Sequence, residues 1–146
     1  RYFETERGYQ GALIAELQRE LVGFNWDQAI IEQEYQKRIR EHGVTVRPDI
    51  IIHVPFSDYI HNSRIEGNFV VFELKLNACE HDAIADYESL SRMCAALNYP
   101  LAIFININSN NTYIDSYQGN HKDKLVSYSV QLADNRAVVT KVEPNT

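Results

Sequence analysis

The sequence has few of the residues that mark specialised protein classes: its 146 residues include only two cysteines, four prolines and six glycines. This low glycine and proline content excludes collagen-like and low-complexity chains. No apolar run is long enough to cross a membrane, because the longest stretch without a charged residue, 93–114, is interrupted by Pro100 and several asparagines. The 45% apolar and 23% charged residues are ordinary for a globular protein, so we expect a single domain over residues 1–146.

The two cysteines are expected to be reduced. Cys79 and Cys94 fall on one predicted helix, 15 residues apart. A rise of about 1.5 Å per residue separates them by about 22 Å, which is beyond the reach of a disulfide. Because reduced thiols are typical of cytoplasmic proteins, we expect a cytoplasmic location.

Positive charge is scarce, with 14 lysines and arginines against 20 acidic residues and a net charge of −6. This balance excludes a protein that coats nucleic acid through overall positive charge. The basic residues are nevertheless unevenly distributed, and one local group is a candidate nucleic-acid-binding patch: Lys37, Arg38, Arg40 and Arg47. The alternative interpretation of this group is a solvated strand edge.

Several catalytic signatures are absent from the sequence. The five histidines show no ligand spacing such as H-E-x-x-H, so a zinc site of that type is not expected. The glycine-rich motifs of nucleotide hydrolases and dinucleotide-binding proteins, and the G-x-S-x-G motif of α/β-hydrolases, are also missing. Among nine tyrosines, three are candidates for stacking on nucleic-acid bases: Tyr9, Tyr59 and Tyr99.

Apolar spacing predicts the elements of the first two thirds of the chain. Leu13, Leu17 and Leu21 recur at helical spacing and predict an amphipathic helix over 5–22. Enrichment in β-branched and aromatic residues predicts strands over 29–40, 44–54 and 69–76, with a helix as the alternative for 29–40. Asn77 is the expected N-cap of a second helix, which ends before Pro100 and is followed by an apolar strand over 101–107.

Beyond residue 107 the sequence predicts short strands over 112–117, 125–132 and 137–142, with Asp134-Asn135 as a hairpin turn. The predicted order is therefore α-β-β-β-α-β, over about 4–107, followed by a β extension over about 108–146. The strand-helix-strand unit implies a parallel crossover. We expect an α/β fold in which helices flank a mixed sheet.

Two carboxylates and one amine are predicted to converge on adjacent strands. Side chains alternate between the two faces of a strand, so Glu73 and Lys75 share a face opposite to Phe72 and Leu74. The same alternation places Asp49 on one face of the preceding strand. If these strands pair in suitable register, Asp49, Glu73 and Lys75 meet.

Adjacent carboxylates repel each other, and a cation between them keeps both ionised. Oxygen ligands favour Mg²⁺ or Mn²⁺ over zinc, and Lys75 can orient or help deprotonate a water. These groups suit hydrolysis of a phosphodiester. The structural alternative is an exposed Glu73–Lys75 pair at a sheet edge, with Asp49 capping a turn. Charges within a core-like strand are costly unless solvated or functional, which favours the catalytic interpretation.

The segment Pro48-Asp49, followed after 23 intervening residues by Glu73-Leu74-Lys75, resembles the motif of the PD-(D/E)XK nuclease superfamily. The predicted α-β-β-β-α-β order is also similar to the restriction-endonuclease-like core of that family. The resemblance implies that Asp49 and Glu73 are metal ligands, together with the backbone carbonyl of Leu74. It further implies that Lys75 is the catalytic lysine and that the cofactor is Mg²⁺ or Mn²⁺.

Many family members add a glutamate from the first helix. Glu6, which opens the predicted helix, is the preferred counterpart, and Glu16 and Glu34 are the alternatives. Some members also carry a glutamine and a tyrosine on the second helix. Asp86 and Tyr87 occupy approximately that place here, so the tyrosine is present and the glutamine is not.

The resemblance implies a metal-dependent endonuclease that cleaves DNA rather than RNA. Restriction or phage defence is the first expected setting, and recombination or repair is the second. Since the chain is acidic, we expect a strong grip on DNA to need a homodimer, an additional domain or a partner protein. One alternative is an inactive binding or assembly module with the nuclease fold, and another is an enzyme that hydrolyses phosphate esters of small nucleotides.

Overall fold

The computed structural model describes residues 3–26, 28–33, 47–59, 61–63 and 65–143. In these ranges the α-β-β-β-α-β order is confirmed, and two further strands follow it. The helices and strands are α1 (Glu6–Gly23), β1 (Ile30–Gln33), β2 (Ile50–His53), β3 (Asn68–Leu76), α2 (Glu80–Leu97), β4 (Leu101–Ile107), β5 (Leu125–Ala133) and β6 (Arg136–Val142). Two short 3₁₀ turns, Ile114–Ser116 and Lys122–Lys124, precede β5.

The strands form one six-stranded sheet in the order β1-β2-β3-β4-β5-β6. The pairs β1–β2, β2–β3 and β5–β6 are antiparallel, whereas β3–β4 and β4–β5 are parallel. The parallel crossover predicted for β3-α2-β4 is therefore confirmed. Over its described residues the protein has an α/β fold with a mixed sheet and two flanking helices.

Each helix covers one face of the sheet, as the two apolar periodicities predict. The stripe of α2 packs on the face that carries Val71 and Phe104, and its members Ala83, Tyr87, Leu90, Cys94 and Leu97 are all buried. On the other face Ile14 of α1 packs with Phe72 and Leu74. Burial of each large apolar side chain contributes about 1.5 to 3 kcal/mol, so both faces help to hold the sheet between the helices.

The helix starts differ in how well the sequence predicts them. Thr5 caps α1, and its Oγ1 accepts a hydrogen bond of 3.0 Å from the Gly8 amide. The prediction of Asn77 as the N-cap of α2 is wrong, because Cys79 occupies that position and Asn77 adopts a left-handed φ of 53°. The Asn77 side chain instead accepts a 2.9 Å hydrogen bond from Asn108 Nδ2, a contact with the loop after β4.

The predicted strand over 112–117 is also wrong. Residues Ile114–Ser116 form a 3₁₀ turn, and Tyr113 before it has a left-handed φ of 56°. Asn111 Oδ1 accepts from the Tyr113 amide at 2.9 Å, and the Thr112 carbonyl accepts from Tyr87 Oη at 2.6 Å. These hydrogen bonds hold the segment against α2 in place of strand pairing.

The strands predicted over 125–132 and 137–142 are confirmed as β5 and β6. Asp134 and Asn135 between them both have positive φ, as a two-residue hairpin turn requires. The segment after residue 107 is an integral part of the fold, because β5 pairs with β4 and Leu125 belongs to the core beneath α2.

The first two predicted strands are confirmed in part, as Ile30–Gln33 and Ile50–His53. Residues 34–46 lie outside the described residues. Cys79 and Cys94 are free thiols, as predicted. None of the helices in the described ranges is long and apolar enough to cross a membrane.

Candidate active site

The register of β2 and β3 brings the predicted site together. Ile50 pairs with Phe72 and Ile51 with Val71, so the next position of the register sets Asp49 level with Glu73. Ile51 and Val71 lie on the α2 face, whereas Ile50 and Phe72 lie on the α1 face. The alternation predicted from the sequence is therefore confirmed on both strands.

Hydrogen bonds from two elements fix Asp49. Its Oδ2 accepts from the Leu74 amide of β3 at 2.7 Å, and its carbonyl accepts from Nε2 of the buried Gln10 of α1 at 2.8 Å. Because the amide and carbonyl of one strand residue point to the same side, the Leu74 carbonyl also points toward the side of β3 that carries Asp49. Asp49, Glu73 and this carbonyl thus lie around one edge of β3.

Glu73 is held as a neutral acid in this arrangement. Its side chain is only 8% exposed and hydrogen-bonds to Asp49. Burial, reinforced by the charges of Asp49 and Asp86, raises the pKa of Glu73 from 4.5 to about 10, although Lys75 acts in the opposite direction. At neutral pH Glu73 therefore keeps its proton and hydrogen-bonds to Asp49.

Lys75 lies two residues further along the same face, with a partly exposed side chain. Its Nζ is 3.8 Å from Oδ2 of Asp86, which projects from the second turn of α2. This Oδ2 is buried and has no hydrogen-bond partner in the described structure. Burial, together with the charges of Asp49 and Glu6, raises the pKa of Asp86 to about 6, despite the opposing effect of Lys75.

Sequence reasoning reached Asp86 only through the family resemblance. A signal in the residues themselves was available, because Asp86 lies three residues after Ala83 and four before Leu90, two members of the buried stripe of α2. Residues three and four apart are neighbours on a helix surface, so a carboxylate at this spacing lies at the border of the core. This position accounts for the burial of Asp86 and for its approach to Lys75.

Glu6 is the helix glutamate that the structure places at the site. It lies in the first turn of α1, and its Oε2 accepts a 3.3 Å hydrogen bond from the Leu76 amide of β3. Glu16 is exposed and pairs with Arg19 at 2.7 Å, away from the sheet edge. Glu34 lies outside the described residues.

The donor set around Asp49 suits a hard divalent cation bound through few protein ligands. Among the described residues no three His, Cys, Asp or Glu side chains form a ready-made cage for a metal ion. Mg²⁺ does not need such a cage, because it keeps several waters and commonly binds to one or two carboxylates. Asp49 and Glu73, joined through a proton that a cation can replace, meet that requirement together with the Leu74 carbonyl.

Of the predicted basic patch, only Arg47 can be placed. It is exposed and lies two residues before Asp49 in the chain, next to the buried Pro48. The remaining members of the patch lie outside the described residues: Lys37, Arg38 and Arg40.

The three tyrosines proposed for base stacking are not gathered at the site. Tyr99 is fully buried, so its prediction as a stacking platform is wrong. Tyr9 packs edge-on against Phe3 at 5.6 Å between ring centroids. Tyr59 is fully exposed, but it follows β2 and therefore lies toward the opposite end of the sheet from Asp49.

His53, which shares a strand face with Asp49 by alternation, is not part of the site. Its Nε2 lies 2.8 Å from Oε2 of Glu32 on β1. It lies four positions after Asp49 in the chain, which corresponds to about 13 Å along an extended strand.

Comparisons with known proteins identify no related protein that has this site. A scan against family models, a search of curated proteins and a search of solved structures each found no match to the chain. The geometry of Asp49, Glu73, Lys75, Glu6 and Asp86 is therefore the ground on which a function can be argued.

Proposed function

We propose that the protein is a metal-dependent nuclease of the PD-(D/E)XK type, with a restriction-endonuclease-like fold. The single observation that carries this proposal is the convergence of three side chains: the buried Glu73 hydrogen-bonds to Asp49, and Lys75 lies on the same face of β3. Burying two carboxyl groups next to each other lowers the stability of the fold, so such a pair is typical of a functional site. We propose that a divalent cation binds between them in place of the proton.

The cofactor of this proposal is Mg²⁺ or Mn²⁺, held by the carboxylates of Asp49 and Glu73 and by the Leu74 carbonyl. When bound, such an ion lowers the pKa of a coordinated water and neutralises negative charge on a phosphate. Glu73 must release its proton to become a ligand, so the ion and the proton compete for the same oxygens.

The remaining side chains have roles that follow from their positions. The Lys75 ammonium is partly exposed, so it can donate a hydrogen bond to a phosphate oxygen or to the attacking water. Asp86 places a carboxylate 3.8 Å from this amine on the helix side. Glu6 ties the start of α1 to β3 through the Leu76 amide and presents a further carboxylate at the same edge.

The proposed substrate is nucleic acid, DNA in preference to RNA, cut endonucleolytically in restriction or phage defence. Gln33 ends β1 and Ile50 begins β2, and the two residues pair with each other at the end of β2 where Asp49 lies. The sequence between them contains Lys37, Arg38 and Arg40, and Arg47 precedes Asp49. Since the chain is acidic overall, we propose that a homodimer, a further domain or a partner protein increases the affinity for DNA.

The second candidate is a binding or assembly module that keeps the fold without turnover. The neutral state of Glu73 favours this candidate, because a site that retains its proton at neutral pH binds metal weakly. The two candidates differ in one measurable property, which is whether a divalent ion displaces the proton and supports hydrolysis.

A cleavage panel tests the proposal. Supercoiled plasmid, linear duplex, single-stranded DNA and RNA are incubated with the purified chain in Mg²⁺ or Mn²⁺. The same panel is run with Glu73→Gln and Lys75→Ala, and with Glu88→Gln as a matched control at an exposed position of α2. We expect metal-dependent cleavage that both site variants abolish and the control retains. Cleavage that survives in both site variants would contradict the assignment, and no cleavage of any substrate would favour the binding module.

A further inference from the structure

Strands β5 and β6 extend past the rest of the sheet at the end that carries the candidate site. Leu76 of β3, Ile107 of β4 and Val130 of β5 are level with one another in the register. β5 continues for three residues beyond Val130, to Ala133, which corresponds to about 10 Å. We call residues 131–138 the ribbon; all of them except Gln131 are exposed.

The ribbon projects two polar side chains from the same face of the sheet as the catalytic candidates. Ser127 is level with Phe104 of β4 and contacts Tyr87 of α2 at 2.8 Å, so it lies on the α2 face. Alternation along β5 places Gln131 on this face too. Arg136 follows from the pairing of β5 and β6, because its partner Ala133 shares the parity of Gln131.

The ribbon lies close to the site across the sheet. β5 is two strands from β3, which amounts to about 10 Å across. Glu73 is level with Ser127 through Phe104, and four more residues along β5 lead to Gln131, or about 13 Å. A DNA duplex that spans about 10 Å across the sheet and about 13 Å along it can contact Glu73 and Gln131 at the same time.

The shape of the ribbon suits insertion into a groove. Its two strands are about 4.8 Å apart, and the major groove of B-form DNA is about 12 Å wide and admits a two-stranded β-ribbon. Ala133 and Ala137 keep the ribbon thin near its turn. Exposed Leu132 and Val138 offer apolar contact of the kind that thymine methyl groups accept.

The chemistry of the two polar side chains suits base edges. Arginine pairs with guanine and glutamine pairs with adenine through two hydrogen bonds each in the major groove. Arg136 is exposed and has no ion-pair partner among the described residues, so its guanidinium is available to a ligand. The cross-strand register makes Arg136 and Gln131 diagonal neighbours on one face.

Two asparagines lie at the end of the sheet that carries both the ribbon and the site. Asn77 follows β3 and Asn108 follows β4, both are exposed, and their side chains are hydrogen-bonded at 2.9 Å. Amides at this end of the sheet offer donors and acceptors without adding negative charge.

We propose that the ribbon enters the major groove of duplex DNA and reads base edges through Arg136 and Gln131. The phosphodiester next to that groove then lies at Asp49 and Glu73. This inference rests on the proposed function, since it takes those carboxylates as the reaction site, and it names double-stranded DNA as the substrate class.

The test is selection from a pool of short duplexes with a randomised centre, in EDTA so that no duplex is cut. Bound duplexes are sequenced for the wild type, Arg136→Ala and Gln131→Ala, and the affinity for the enriched sequence is measured by fluorescence anisotropy. Arg92→Ala, at an exposed position of α2, is the matched control for the loss of one positive charge. A single strand of the enriched sequence is titrated in parallel.

We expect the wild type to enrich a sequence and to bind it as a duplex. Arg136→Ala and Gln131→Ala each weaken that binding about tenfold or more and relax the preference at one position, whereas Arg92→Ala changes it less than twofold. Equal losses in Arg136→Ala and Arg92→Ala, no sequence preference, or equal affinity for the single strand would overturn the inference.

Hydrolysis of bis(p-nitrophenyl) phosphate by the wild type separates this inference from the proposed function. Hydrolysis without duplex binding refutes the ribbon as a reader and leaves the catalytic proposal standing. Ribbon-dependent duplex binding without hydrolysis, in Mg²⁺ or in Mn²⁺, supports the reader and refutes the catalytic proposal.

Discussion

Replacing Glu73 by glutamine is expected to stabilise the fold at neutral pH while it abolishes metal binding. Burial and the neighbouring carboxylates raise the pKa of Glu73 from 4.5 to about 10. Below pH 4.5 the carboxyl group is protonated in both the folded and the unfolded chain. Above it the unfolded chain releases the proton and the folded chain retains it, so the free energy of unfolding decreases as pH rises toward 10.

The size of this effect follows from the interval between the two pKa values. A difference of about 1.4 kcal/mol per pH unit, accumulated from pH 4.5 to pH 7, amounts to about 3 kcal/mol. Glutamine has nearly the same shape as the protonated acid, and its amide can donate to Asp49. Because glutamine does not titrate, Glu73→Gln removes this pH-dependent decrease in the free energy of unfolding.

Urea unfolding of the metal-free protein measures this difference. Trp26, the only tryptophan, packs edge-on against Phe69 of β3 at 4.5 Å between ring centroids, and its fluorescence reports the transition. At pH 7 in EDTA we expect Glu73→Gln to exceed the wild type by about 3 kcal/mol, and at pH 5 by less than about 1 kcal/mol. The exposed control Glu88→Gln should match the wild type at both pH values.

Two results would refute this reasoning. A loss of stability in Glu73→Gln at pH 7 would show that the folded protein needs the ionised carboxylate. An equal gain at pH 5 and pH 7 would show that the gain does not come from the retained proton.

Three further predictions concern the core, the site and a helix cap. Tyr87→Phe removes the hydroxyl that donates to the Thr112 carbonyl at 2.6 Å, and we expect a loss of about 1 to 3 kcal/mol in urea unfolding. If the wild type cleaves DNA, Asp86→Asn should lower kcat severalfold with little change in KM, because Lys75 loses its anionic neighbour at 3.8 Å; steady-state kinetics on one duplex checks this. Thr5→Ala removes the cap of α1 and should cost about 1 kcal/mol, seen as a lower Tm in calorimetry.

The spacing of apolar residues correctly predicted the elements in which one regular spacing runs through the whole helix or strand. The alternation in 69–76 correctly placed Glu73 and Lys75 on one face and Phe72 on the other. The stripe from Ala83 to Leu97 correctly predicted α2 and its buried side. In both elements the residues that form the pattern are the ones that pack against the opposite layer.

Tertiary hydrogen bonds explain the errors. Asn77 has the residue type of an N-cap, yet its bond to Asn108 joins two loops that are remote in sequence. The 112–117 segment has strand-forming residues, yet Tyr87 and Asn111 hold it as a turn. Local sequence does not contain the partners that decide such segments.

The convergence of the site was predictable, and its protonation was not. Asp49, Glu73 and Lys75 follow from alternation once the register of β2 and β3 is known. The neutral state of Glu73 depends on its burial in the folded chain and on the neighbouring carboxylates of Asp49 and Asp86, the latter on α2. The burial of Glu73 and its closeness to these carboxylates exist only in the folded chain.

Calorimetric titration of the wild type and Glu73→Gln with Mn²⁺ at pH 8 tests the central claim most directly. The claim is that the proton of Glu73 is exchanged for a divalent cation that Asp49 and Glu73 bind together. We predict one Mn²⁺ per chain for the wild type, with proton release that depends on the ionisation enthalpy of the buffer, and no binding for Glu73→Gln. Absence of Mn²⁺ binding by the wild type, or equal binding by the variant, would contradict it.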